Sequence, residues 1–167
     1  MKDNTNLQAG EPDSASLQCP ARPLHRILVV EDEPDIRLLS TEVLIHSGYA
    51  VDAAADGAVA WQALCAESYD LMITDNNMPR LTGVELLKKL RSARMALPVI
   101  LATGTLPKEE FIRYPWLQPD ATLLKPYTVE ELLGTVRTVL RATVSAPGQL
   151  EPPPDRQSQP SADVLRL

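Results

Sequence analysis

Short apolar runs alternate five times along this chain with longer segments whose apolar residues recur at every third or fourth position. The first run, Arg26-Ile27-Leu28-Val29-Val30, is rich in β-branched residues and too short for a buried helix. It ends abruptly at Glu31-Asp32-Glu33, which marks a buried strand with acids at its C-terminal end. Residues 49–54, 69–75, 97–103 and 121–125 repeat the pattern, with Pro98 tolerable because it lies at a strand start. The third strand closes with Leu71-Met72-Ile73-Thr74-Asp75 and runs into Asn76-Asn77-Met78-Pro79-Arg80-Leu81-Thr82-Gly83, so it hands a lone carboxylate to a loop. Local chemistry alone leaves Asp75 equally suited to closing an Asx-turn.

The intervening segments predict helices. Pro34 suits a first helical turn, with Ile36, Leu39 and Val43 on one face and Gly48 as a stop; His46 near that end is a surface residue. Asp56-Gly57 opens a second helix reaching about Glu67, with Val59, Ala63 and Leu64 inward, Cys65 filling an apolar face and Trp61 packing along an edge. A third spans residues 83–94 with Val84, Leu87 and Leu90 at helical spacing. The helical signal at 108–113 is bracketed by Pro107, Pro115 and Pro119, so the fourth helix is short or broken, and Phe111, Tyr114 and Trp116 beside it read as packing rather than a docking surface. Thr128 with Glu131 forms a capping box for a last helix through about Arg141, whose stripe is Val129, Leu132, Leu133, Val136 and Leu140.

This order is (βα)5, an α/β chain. Right-handed crossovers then demand a doubly wound, five-stranded parallel sheet covered on both faces, with every strand C-terminus on one edge. Ligands bind at that edge in open sheets of this kind. Glu31, Asp32, Asp75, Thr103 and Lys125 all fall there. Residues 1–23 are polar and proline-punctuated, a disordered leader; 24–143 form the folded domain; 144–167 are a disordered proline-rich tail, and its last residues, Val164-Leu165-Arg166-Leu167, read as a frayed end.

Composition narrows the function. With aromatics at 4%, aliphatic side chains must build the core. A net charge of -6 leaves no excess of cations to neutralise phosphates, so nucleic-acid binding is not expected. Cys19 and Cys65 make neither a disulfide framework nor a metal-binding spacing. No apolar run approaches the ~18 residues of a membrane span and the N-terminus lacks a signal-peptide core, so a cytoplasmic protein with no membrane partner is expected.

Three carboxylates at one edge repel, by about 3 kcal/mol per pair at ~5 Å and an effective dielectric near 20. A divalent cation with oxygen ligands relieves this, and Mg²⁺ suits a site with few carboxylates and several retained waters. Lys125 is placed to hold a phosphate oxygen. A phosphoryl group clamped there can be attacked in line by Asp75, and the Thr103 hydroxyl can hydrogen-bond the new phosphoryl oxygen. The alternative is an acidic cluster paired with Lys125 that holds no ligand.

Val29-Val30-Glu31-Asp32-Glu33, Asp75-Asn76-Asn77-Met78-Pro79 with Gly83, Ala102-Thr103-Gly104 and Lys125-Pro126 together resemble the receiver domain of two-component response regulators, over about residues 26–141. The resemblance implies a flavodoxin-like strand order 2-1-3-4-5, and the missing output sequence motivates the expectation of a stand-alone, chemotaxis-regulator-like protein. By the same resemblance, Asp75 accepts a phosphoryl group from a histidine kinase or phosphotransfer protein. Glu31, Asp32, Asp75 and the backbone carbonyl of Asn77 bind Mg²⁺, Lys125 and Thr103 sense the phosphoryl group, and the Lys125-Pro126 bond is cis. Asn77 and Thr105 stand where the family tunes hydrolysis. The only catalysis implied is its own Mg²⁺-dependent phosphorylation and dephosphorylation.

Signalling would then be by protein contact with a downstream protein, through the face of the fourth helix, fifth strand and last helix, without a DNA-binding output domain. The same face allows a homodimer. Thr122 stands where members usually carry Tyr or Phe, and the prolines from 107 to 119 give the fourth segment an unusual shape. A second reading is therefore a receiver-like scaffold that binds a partner independently of phosphorylation. A phosphatase would want Asp-x-Asp where Glu31-Asp32-Glu33 stands, and nucleotide binding would want a glycine-rich loop after Val30.

Overall fold

The computed structural model of the protein describes residues 25–145, within which five strands alternate with five α-helices. They are β1 (Arg26–Val30), α1 (Pro34–His46), β2 (Ala50–Ala54), α2 (Gly57–Ala66), β3 (Leu71–Asp75), α3 (Gly83–Ser92), β4 (Val99–Thr103), α4 (Lys108–Arg113), β5 (Ala121–Leu124) and α5 (Val129–Ser145). A single 3-10 turn, Pro115–Leu117, follows α4, as the bracketing prolines imply. The expected leader and tail lie outside the described residues, apart from 144–145, which continue α5. No described helix is long and apolar enough to cross a membrane.

The sheet is all-parallel in the order β2-β1-β3-β4-β5, the flavodoxin-like order. Side chains alternate between its two faces. Leu28, Val30, Met72 and Leu101 pack with Ala60, Leu64, Leu86, Leu87 and Leu90 of α2 and α3. Ile27, Val29, Leu71, Ile73 and Ile100 pack with Leu44, Leu132, Val136 and Leu140 of α1 and α5. Phe111, Tyr114 and Trp116 lie partly buried against the first layer, with Tyr114 and Trp116 edge to face, so they do pack.

Helix ends follow side-chain chemistry. Asp56 caps α2 by accepting from the Ala58 and Val59 amides, and Gly48 takes φ +91 just past α1. Thr128 and Glu131 form their expected box, and Thr82 and Glu85 form a second one at α3.

Two helix faces differ from expectation. The sheet-facing stripe of α2 is Gly57, Ala60 and Leu64. Val59 and Cys65 each sit one residue, about 100°, off that stripe, so both are exposed instead of inward. In α1 the buried residues are Ser40 and Leu44. Ile36, Leu39 and Val43 do share a face, but it looks across a groove of about 480 Å³ toward Tyr127, Val129 and Leu132, which leaves Ile36 and Leu39 exposed.

Candidate functional site

Parallel pairing of Val30 with Thr74 sets the ends of β1 and β3 level, so Glu31 and Asp75 emerge side by side. Glu31, Asp32 and Asp75 each offer an oxygen within 4.8 Å of the others. Glu31 and Asp75 are buried, each 5% exposed, while Asp32 is half-buried. With separations of 4.8 Å or less and an effective dielectric near 20, each pair of carboxylates repels by about 3.5 kcal/mol or more.

Lys125 answers part of this charge. Its amide donates to the Thr103 carbonyl at 2.9 Å, which fixes the strand end. Its Nζ then lies 2.8 Å from Glu31 Oε2 and 3.1 Å from Asp75 Oδ1. The first contact is a hydrogen bond; the second is an ion pair of poorer alignment, so among the described residues buried Asp75 Oδ1 has a charge before it and no well-aligned donor. Burial pushes the Glu31 carboxyl above its usual range, with Lys125 pulling the other way. Burial would lower the Lys125 ammonium, but Glu31 and Asp75 outweigh it and hold the pKa above its ordinary value. Among the described residues Lys125 is the cation in contact with these carboxylates, and one ammonium cannot neutralise three.

The surrounding loops are tightly held. Arg37 donates to the carbonyl oxygens of Glu31 and Asp32 at 2.7 and 3.1 Å, bracing the turn after β1. Asn76 accepts from the Val84 amide through its side chain and from the Gly83 amide through its carbonyl. Gly83 must lack a side chain, because a Cβ there would run into the Asp75 carbonyl oxygen. Among the described residues no hydrogen bond engages the carbonyl of exposed Asn77, which leaves it open to a ligand.

Thr103 stands at the end of β4, fully buried, with its hydroxyl donating to the Thr105 carbonyl at 2.7 Å and accepting from the Thr105 amide. It would have to give up the first bond to meet a ligand. Thr122 is exposed on β5, and the Lys125-Pro126 bond is cis, as the resemblance implied. Arg37 and Tyr127 carried no sequence signal. The Tyr127 phenol lies half-buried beside the site, and burial raises its pKa.

The donor set fits a hard divalent cation: oxygen atoms only, excess negative charge, and, among the described residues, a buried carboxylate oxygen with no well-aligned donor. Residues 27–137 match the family described as the response regulator receiver domain. The chain is 36% identical to Response regulator MprA of Mycobacterium ulcerans over 118 residues, 71% of this chain and 51% of the relative. It is 34% identical to Transcriptional regulatory protein CusR of Escherichia coli over 116 residues, 70% of this chain and 51% of the relative. The chain thus spans about half the length of these curated relatives. Among solved structures it is similar to the response regulator protein TrrA of Thermotoga maritima in complex with Mg²⁺-BeF, with TM-score 0.60 and 32% identity over 70% of this chain and 99% of that one. Chemotaxis protein CheY4 of Vibrio cholerae gives TM-score 0.64 and 31% identity over 69% of this chain and 98% of that one.

Proposed function

The chain belongs to the family of response regulator receiver domains, and on that premise we propose that Asp75 accepts a phosphoryl group from a phosphohistidine of a histidine kinase or phosphotransfer protein. A carboxylate oxygen of Asp75 attacks phosphorus in line, the P–N bond breaks as the P–O bond forms, and the imidazole leaves and takes up a proton from solvent. Mg²⁺ held by Glu31, Asp32, Asp75 and the Asn77 carbonyl would supply charge neutralisation at the phosphoryl oxygens. Lys125 moves from its pair with Asp75 to a phosphoryl oxygen, and Thr103 turns its hydroxyl to another. The observation that carries this reading is the buried Asp75 carboxylate, gathered with Glu31 and Asp32 within 4.8 Å and facing the Lys125 ammonium at 3.1 Å. The Mg²⁺-BeF complex of TrrA supports it.

Family members are regulators, and among the described residues two surfaces suit partners. The groove between α1 and the start of α5 is apolar, opens beside Lys125 and suits the donor protein. On the face of α4, β5 and α5, Ile112 is 79% exposed and Leu124 53% exposed, which suits a downstream protein or a second copy. The proposal extends to signalling by protein contact, in the cytoplasm. The scaffold reading, partner binding independent of phosphorylation, draws on Thr122 in place of the usual aromatic residue.

Incubation with Mg²⁺ and a small phosphodonor tests the main reading by intact mass. One phosphoryl adduct on wild type and none on Asp75→Asn are expected. No adduct on wild type, or an undiminished one on Asp75→Asn, overturns it. Partner affinity unchanged by beryllofluoride would favour the scaffold.

A further inference from the structure

The loop joining β3 to α3 is tied to the start of α2 at two points. The Arg80 guanidinium meets the Asp56 carboxylate at 2.5 Å, Nη2 to Oδ2. One residue on, Leu81 packs so closely over Gly57 that a Cβ there would come within 2.7 Å of Leu81 Cδ2. Arg80 itself adopts φ +68, a left-handed backbone that disfavours any side chain. Its side chain is 74% exposed, whereas that of Asp56 is 12% exposed.

Asp56 serves both elements, since Oδ1 accepts from the Ala58 and Val59 amides while Oδ2 holds Arg80. Those amides and Arg80 together hold its pKa below the ordinary range, so it remains charged at neutral pH. At the other end of the loop Asn76 is pinned to the first turn of α3. Asn77 lies between the two anchors, followed by buried Met78, and among the described residues its carbonyl enters no hydrogen bond.

We propose that Arg80 is a positioning residue: by gripping Asp56 it holds the β3–α3 loop in the shape that presents the Asn77 carbonyl to a divalent cation bound by Glu31, Asp32 and Asp75. The inference rests on the reading of that site given above. An arginine in a left-handed backbone gains little from a solvent pair alone. Anchored to a buried capping carboxylate, it fixes the loop against α2, an outer contact that orients an inner ligand.

The test uses the full chain and Mg²⁺ alone, titrated by amide chemical shifts, with phosphorylation by phosphoramidate measured in parallel across Mg²⁺ concentrations. Arg80→Ala, Arg80→Gly and Asp56→Asn should each weaken Mg²⁺ binding, by about tenfold. The double variant Arg80→Ala with Asp56→Asn should be no worse than either single one, and Arg80→Lys should recover most of the affinity. At saturating Mg²⁺ the phosphorylation rate should return to within about twofold of wild type. Arg80→Gly relieves the backbone and Asp56→Asn keeps a helix cap, so both keep the fold intact. Wild-type Mg²⁺ affinity in Arg80→Gly and Asp56→Asn, or a rate loss that persists at saturating Mg²⁺, overturns the proposal. A wild-type protein that binds no Mg²⁺ overturns the site reading as well, and so is told apart from failure of the Arg80 role alone.

Discussion

Glu31 and Lys125 meet at 2.8 Å although they stand 94 positions apart in the chain. The pair spans the sheet from the end of β1 to the end of β5, above the ends of β3 and β4. It draws the ammonium over Asp75 as well, at 3.1 Å. One side chain therefore closes the acidic site and ties together strands that do not touch.

Lys125→Met should separate these functions. Removing the ammonium leaves Glu31 and Asp75 buried and mutually repelling, and the loss should be about 1–3 kcal/mol, less than for a fully buried pair because the lysine is partly solvated. Urea unfolding without Mg²⁺ measures it. Adding Mg²⁺ should restore part of the loss, and an unchanged midpoint would mean that the ion pair contributes nothing net.

Asp75→Asn should act in the opposite direction on stability. It removes one of three crowded anions, and the free protein should gain on the order of 1 kcal/mol. Mg²⁺ should then stabilise the variant less than wild type, because one ligand charge is gone. Paired urea titrations with and without Mg²⁺ read both effects.

Tyr69 gives a pH signature away from the site. Its hydroxyl donates to Asp52 at 2.8 Å, and burial together with that carboxylate pushes the phenol up to about 12. In the unfolded chain the phenol titrates at about 10. Between these values the folded state keeps a proton that the unfolded state has lost, so stability falls as pH rises. Tyr69→Phe should cost about 1 kcal/mol at neutral pH through the lost hydrogen bond and should flatten the alkaline decline. Unfolding midpoints from pH 9 upward check the slope; an equal decline in both proteins would assign it to other groups.

What was legible in the sequence divides along physical lines. The strands and their shared edge were readable because a parallel sheet buries whole apolar runs and cannot hide where Val30 gives way to Glu31 or Thr74 to Asp75. The Thr128 and Glu131 cap was readable because it is local. Val59 and Cys65 were misplaced because a helix as apolar as α2 has no polar face to fix its rotation. Arg37 and Arg80 were invisible as site residues because their partners, a backbone carbonyl and a carboxylate 24 positions away, exist only once the loops have closed.

Gly83 tests how closely the loop after Asp75 is fitted. A Cβ at this position would strike the Asp75 carbonyl oxygen and the Leu101 side chain. Leu101 can shift, but the carbonyl belongs to the last residue of β3, whose neighbour Asn76 is bound to Ala102 of β4 at 2.8 Å. The backbone has no room to yield without moving the carboxylate. Gly83→Ala should therefore lose about 1–3 kcal/mol by overpacking, although alanine is the better helix former. It should also slow phosphoryl uptake by more than the lost stability explains, since small displacements of a nucleophile are costly in rate. Unfolding and phosphorylation measured on the same preparation decide this: destabilisation with normal uptake would locate the strain in α3 instead of at Asp75.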